Sequence, residues 1–161
     1  MDLIKYLQEL SSNLKNESII DLGSGNGLPV CLFSQIIDNV TGVELNKLLA
    51  DESLDIIKNL SEKKRINVDS IKIINDDFFN IDLSPYSLIY ICWPFDNQEK
   101  KEFEEEMRVN LSIKLIAEAK KGTKIIVFIP GMHEKDIFPR LKKISDIKQK
   151  YSTQFCFYSI P

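Results

Sequence analysis

No stretch of this 161-residue chain approaches the ~18 consecutive apolar residues that a membrane span needs. The opening residues, MDLIKYLQELSS, carry charge and lack the apolar centre of a secretory signal. Neither a membrane role nor export is expected, and the reducing cytoplasm is the expected compartment. Cysteine is sparse: Cys31, Cys92 and Cys156 lie far apart and form no Cys-x-x-Cys pair, which excludes a zinc ribbon and a disulfide scaffold. With His133 as the sole histidine, neither a metal cluster nor a Ser-His-Asp set is evident, and no metal is expected. His133 itself is open to two readings, a general base or an exposed loop residue. Charge is not lopsided either. The 21 Lys+Arg and 24 Asp+Glu give a net −3, which argues against a dedicated nucleic-acid coat while leaving room for a local basic face. Repeats, low-complexity runs and linkers are also missing. What remains, 43% hydrophobic and 28% charged, is the composition of a folded protein, read as one domain over residues 1–161.

Apolar runs alternate with amphipathic stretches. Leu3, Leu7, Leu10 and Leu14 share one helical face, which predicts an N-terminal helix within residues 1–16. Strands are expected at 18–22 (SIIDL), 40–44 (VTGVE), 70–74 (SIKII), 87–92 (SLIYIC) and 123–129 (TKIIVFI). A helix is expected over 26–37, with Pro29 tolerable in its first turn. Another runs from the cap Asn46 to about residue 64, with Leu49, Ile56, Ile57 and Leu60 facing inward. Residues 148–152 and 154–160 are expected to pair as antiparallel strands. Residues 103–119 carry two periods at once. Val109, Leu111, Ile113 and Leu115 alternate as a strand does, whereas Phe103, Met107, Leu111, Leu115 and Ala119 recur every four residues. Helix is preferred, because parallel strands on either side need a crossover. The result is an α/β protein with helices on both faces of a sheet.

The six glycines are unevenly spent: Gly23, Gly25 and Gly27 fall within five residues, in IIDLGSGNGLPV. They follow a strand and open a helix, where the backbone turns sharply and a ligand can come closer than any Cβ permits. A plain tight turn is the alternative reading. The third glycine comes one residue too early for the dinucleotide pattern Gly-x-Gly-x-x-Gly. Asp21, two residues before the first glycine, repels phosphate and suits an ammonium group. A nucleoside-like, cationic ligand is therefore expected, not a dinucleotide.

DLGSGNG resembles the first motif of the class I S-adenosylmethionine-dependent methyltransferases. The resemblance implies a Rossmann-like seven-stranded sheet, mostly parallel, with a C-terminal antiparallel pair. It implies S-adenosyl-L-methionine as cofactor, held by Asp21, Gly23, Ser24, Gly25, Asn26 and Gly27. It gives Glu44, at the end of the second strand, the two ribose hydroxyls, a task suited to a carboxylate. In the segment NDDFF it gives Asp77 the adenine amino group, with Phe78 beside the ring and Asp76 as the alternative. Acids after strands also serve as caps and turn formers, and that reading stands beside this one.

Methyl transfer to a nucleophile is catalysis by alignment and water exclusion. The resemblance places it near the end of the fourth strand, in YICWPFDN. Tyr90, Cys92, Trp93 and Phe95 are the candidate residues there. Packing of the strand end is the other reading of these aromatics. Base-amine methyltransferases often carry Asn/Asp-Pro-Pro-aromatic at this point, and Cys92-Trp93-Pro94-Phe95 keeps only the last two positions. More narrowly, DLGSGNG, VTGVELN, NDDFFNIDLS and QFCFYSIP are similar to the small prokaryotic and mitochondrial protein-lysine methyltransferases. That likeness implies a protein lysine as acceptor, guided by an aromatic collar of Tyr90, Trp93 and Phe95. An RNA base, a small molecule, and a non-catalytic subunit serving a larger complex are the alternatives. Six acids against two lysines over residues 96–106 suit a cationic partner. Nine Lys/Arg against three acids over 120–150 suit RNA.

Overall fold

The structure, a computed structural model, describes residues 7, 13–63, 65–92, 101–130, 138, 140–148 and 153–160. Among the described residues, seven strands and three multi-residue α-helices follow one another as β1 (Ser18–Leu22), α1 (Leu28–Phe33), β2 (Asn39–Glu44), α2 (Lys47–Glu62), β3 (Ile71–Asn75), β4 (Leu88–Cys92), α3 (Lys101–Glu118), β5 (Lys124–Pro130), β6 (Lys142–Lys148) and β7 (Thr153–Ser159). The strands form one mixed sheet in the order β3-β2-β1-β4-β5-β7-β6, flanked by helices. The expected seven-stranded, mostly parallel α/β sheet with a terminal antiparallel pair is what the chain adopts. The chain divides into two compact units, Met1–Ile81 and Asp82–Pro161.

In the first unit, β1 pairs parallel with β2, and β2 with β3. Ile19, Ile20, Asp21 and Leu22 are all buried, as befits a parallel strand covered on both faces. The register sets Asp21 beside Gly42 and Glu44 beside Asn75, so the acids named from the sequence come to the carboxyl ends of adjacent strands. Helix α2 begins at Asn46, whose side chain accepts the Leu48 N–H at 3.0 Å. Its buried line is Ala50, Ser53 and Ile57, with Leu49, Ile56 and Leu60 only half-buried. Of the expected inward line, Ile57 is buried and the other three are not. The small ones take the inner positions because α2 passes very close to the glycine turn: a Cβ on Gly27 would lie 2.8 Å from that of Ser53. Helix α1 is shorter than the expected 26–37. It stops after six residues, where Ser34 Oγ donates to the Cys31 carbonyl and the chain turns. Of the expected N-terminal helix, the described part is Leu7, helical and buried, and a 3-10 turn at Leu14–Asn16.

In the second unit, β4 and β5 are parallel, with the α3 crossover between them in sequence. The double period of α3 is resolved by burial. Leu111, Leu115 and Ala119, on the four-residue period, are buried, while Val109 and Ile113 face solvent. The buried ammonium of Lys114 pairs with Glu118 at 2.7 Å, and Glu118 also accepts the Leu83 N–H at 3.3 Å. The antiparallel pairs are β5–β7 and β6–β7. Here the expectation of a strand at 148–152 is corrected: β6 runs over Lys142–Lys148. None of the three cysteines forms a disulfide. Among the described residues, no helix is long and apolar enough to cross a membrane.

Candidate functional site

The turn after β1 is built from three residues with positive φ: Gly23 at 82°, Gly25 at 55° and Gly27 at 76°. L-residues with a side chain rarely adopt such angles, which explains the concentration of glycine. The turn is anchored to β2, since the N–H groups of Gly23 and Ser24 both donate to the Val43 carbonyl at 2.9 Å. Among the described residues, added Cβ atoms at Gly23 and Gly25 would meet nothing within 4 Å, which leaves room at these two positions.

Glu44 organises the rim. One carboxylate oxygen accepts the Gly25 N–H at 2.8 Å, and the other accepts the Asn46 N–H at 2.8 Å. A carboxylate has about four lone-pair positions, so further acceptor capacity remains on a half-buried group. Asn75 holds the strand end beneath it, donating its amide to the carbonyls of Glu44 at 2.8 Å and Leu45 at 3.1 Å.

Asp21 is the most unusual residue of the unit. It is 1% exposed, and neither carboxyl oxygen has a hydrogen-bond partner among the described residues. Ser24 Oγ is buried in the same unpartnered state. Burial, aided by the negative charge of Glu44, pushes the Asp21 carboxyl up to about 8. A lone buried carboxyl is costly unless it has a partner, and a cation is the ligand that would supply one.

After β3, Asp77 accepts the Phe79 N–H at 2.9 Å and caps the 3-10 turn Phe78–Asn80. Asp76, more exposed, accepts the Asp77 N–H and the Asn80 amide. Phe78 is half-buried, its ring 4.7 Å from that of Phe79. Asn26 is half-buried, and Gly27 opens α1 with Pro29 in the first turn. The first unit thus brings the carboxyl ends of β1, β2 and β3, and all nine expected cofactor residues, into one fold unit. Of the four acceptor candidates, Tyr90 is buried and Cys92 half-buried at the end of β4. Trp93 and Phe95 lie outside the described residues, as do His133 and residues 96–100 of the acidic run.

Two residues escaped sequence reading. A Cβ on Gly42 would lie 2.8 Å from Ser24 Oγ, 2.9 Å from Val30 and 3.0 Å from Ile73, so the bare backbone there gives the glycine turn its seat. The signal was a lone glycine inside a strand pattern. Asn75 ends β3 beside Glu44, and its polarity at a strand end was the available sign.

No family model and no curated protein matches the sequence. Solved structures do. An RNA methyltransferase from Salinibacter ruber, in complex with S-adenosyl-L-homocysteine, superposes with a TM-score of 0.71 at 17% identity, over 99% of this chain and 90% of that one. The fold is that of the class I methyltransferases. A SAM-dependent methyltransferase from Aquifex aeolicus shares it at TM-score 0.70 and 14% identity, over 99% and 90% of the two chains. The magnesium protoporphyrin IX methyltransferase from Synechocystis PCC 6803, with bound SAM, does so at TM-score 0.70 and 13% identity, over 98% and 77%. The methyltransferase fold therefore spans nearly the whole chain, including both antiparallel pairings at its end.

Proposed function

We propose that this chain is a single-domain, cytoplasmic S-adenosyl-L-methionine-dependent methyltransferase. The observation that carries the reading is the buried, unpartnered carboxyl of Asp21 beside an open glycine turn. S-adenosyl-L-methionine brings an amino group, a ribose and an adenine, together with a methyl group already activated on a sulfonium. The residues present fit those parts. Asp21 and Ser24 offer acceptors to the amino group. Gly23 and Gly25 leave room for close approach, with Asn26 and Gly27 completing the turn. Glu44 has spare lone pairs for the ribose diol. Asp77 offers its second oxygen to the adenine amine, with Phe78 alongside. A dinucleotide fits less well, because Asp21 would face its phosphates.

For the acceptor we infer a lysine on a protein. Tyr90, Cys92, Trp93 and Phe95 keep the acceptor-lining role that the sequence implies. Free lysine titrates near ~10.4, and an apolar, aromatic lining lowers that value by disfavouring the charged form. A second reading, an RNA base, draws on the Salinibacter neighbour, which is an RNA methyltransferase covering 90% of its own length here.

Incubation of the purified chain with lysate and methyl-labelled S-adenosyl-L-methionine separates these readings. We expect label that protease removes and ribonuclease leaves. The converse assigns RNA as the acceptor. Tight cofactor binding without any labelled product contradicts an enzyme and assigns a cofactor-binding subunit.

A further inference from the structure

Helix α3 carries a second apolar line that its own fold does not use. Val109, Ile113 and Ile116, at spacings of four and three, lie on one face and are 38%, 51% and 43% exposed. Charged residues of opposite sign bound this line. Glu105 and Glu106 lie exposed one turn before it, and Lys120 and Lys121 lie exposed one turn beyond. Across residues 101–108 the sequence has four acids against two bases, and across 114–121 three bases against one acid, a balance of −2 facing one of +2. The helix dipole favours acids at the start and bases at the end. It gives no reason for three β-branched side chains in water between them.

We propose that this face is a self-association surface, on which two copies of the chain pack their α3 helices antiparallel about a two-fold axis near Ile113. An isologous contact requires a surface complementary to itself, and this one is. With the axis between Ser112 and Ile113, Val109 meets Ile116 of the partner subunit, and Glu105 meets Lys120 of the partner subunit. Both pairings follow from the same centre, because the members of each pair lie equally far from the point between Ser112 and Ile113, on opposite sides. Beside Val109, a small dent lined by Glu105, Arg108, Ser112 and Arg140 gives the contact a polar rim. Glu105 also binds Arg108 within its own chain, so the contact adds Lys120 of the partner subunit to an existing pair. Between Glu105 and its last residue, Glu118, the helix is ~20 Å long. One helix against another over that length buries about 1,000 Å² in total, the lower end for specific interfaces. The dimer is accordingly a weak, reversible one that forms in the micromolar range. The surface is independent of the methyl-donor reading.

Sedimentation of the full chain across the micromolar range tests this, with circular dichroism confirming that each variant folds. We expect a concentration-dependent rise from monomer to dimer mass, abolished by Ile113→Glu. Glu105→Lys with Glu106→Lys makes the face uniformly basic, and Lys120→Glu with Lys121→Glu makes it uniformly acidic. Each pair of changes alone weakens association about tenfold or more. Mixing the two variants restores it, because the basic and acidic faces then meet end to end. A chain that stays monomeric throughout overturns the proposal. So does a dimer that survives Ile113→Glu, or a mixture of charge variants that associates no better than either alone.

Discussion

Replacing Asp21 with asparagine raises the melting temperature of the ligand-free protein at pH 8 by roughly 5–10 °C, while weakening S-adenosyl-L-methionine binding about a hundredfold. Both effects come from one buried carboxyl. In the folded protein it titrates near 8, against 3.8 for an unperturbed aspartate. Between those values the folded state holds a proton that the unfolded state releases, so rising pH favours unfolding. The stability from this group is full below about pH 4, falls steadily, and is gone above about pH 8. The whole change is on the order of 5 kcal/mol. Asparagine is close in size and does not titrate, so this part of the pH dependence disappears. A ligand ammonium acts in the opposite sense, stabilising the ionised form. Wild-type affinity therefore climbs about tenfold per pH unit between about pH 6 and 7.5, where an α-ammonium is still charged, and the asparagine variant stays flat. Thermal melts and titration calorimetry across that range check both halves. Equal affinity in the two proteins would remove Asp21 from the amino-group role.

Glu44→Ala is the other large effect. It strips the Gly25 and Asn46 N–H groups of their acceptors, both now at 2.8 Å, and it deletes the acceptors assigned to the ribose. Hydrogen bonds to charged groups contribute about 1.5–3 kcal/mol each. Even partial loss of two of them lowers S-adenosyl-L-methionine affinity at least about a hundredfold by calorimetry. The free protein also changes, because removing the negative charge lowers the Asp21 carboxyl from its present value. The pH dependence of stability then moves to lower pH. Unchanged affinity would contradict the ribose assignment.

Much of the first unit was legible because its constraints are local. A strand of Ile-Ile-Asp-Leu, three glycines needing positive φ and an acid at the next strand end all carry their reasons in the residue types. Close packing between elements was not legible. Gly42 reads as an ordinary strand residue until Ser24, Val30 and Ile73 are seen around it. Ala50 and Ser53 read as weakly apolar until α2 is seen against Gly27. The end of α1 was hidden because Val30, Phe33 and Ile37 are all buried, so apolar spacing continues through the turn that stops the helix. The place of β6 was hidden by its composition. KKISDIK has three lysines and an aspartate in seven residues, because the strand sits at the sheet edge, where charge protects against unwanted pairing. Only the four-residue period of α3 faces the core, and the alternation dissolves in the helix: Leu111 and Leu115 are buried, while Val109 and Ile113 join Ile116 on the exposed line proposed to meet a second copy.

The central claim is that the glycine turn, with an acid buried beneath it, selects a cationic adenosyl ligand. Titration calorimetry of the intact chain against S-adenosyl-L-methionine and, separately, NAD tests this most directly. One S-adenosyl-L-methionine per chain, bound at least about a hundredfold more tightly than NAD, is the predicted result. Tighter binding of NAD, or no heat with either compound, would contradict it.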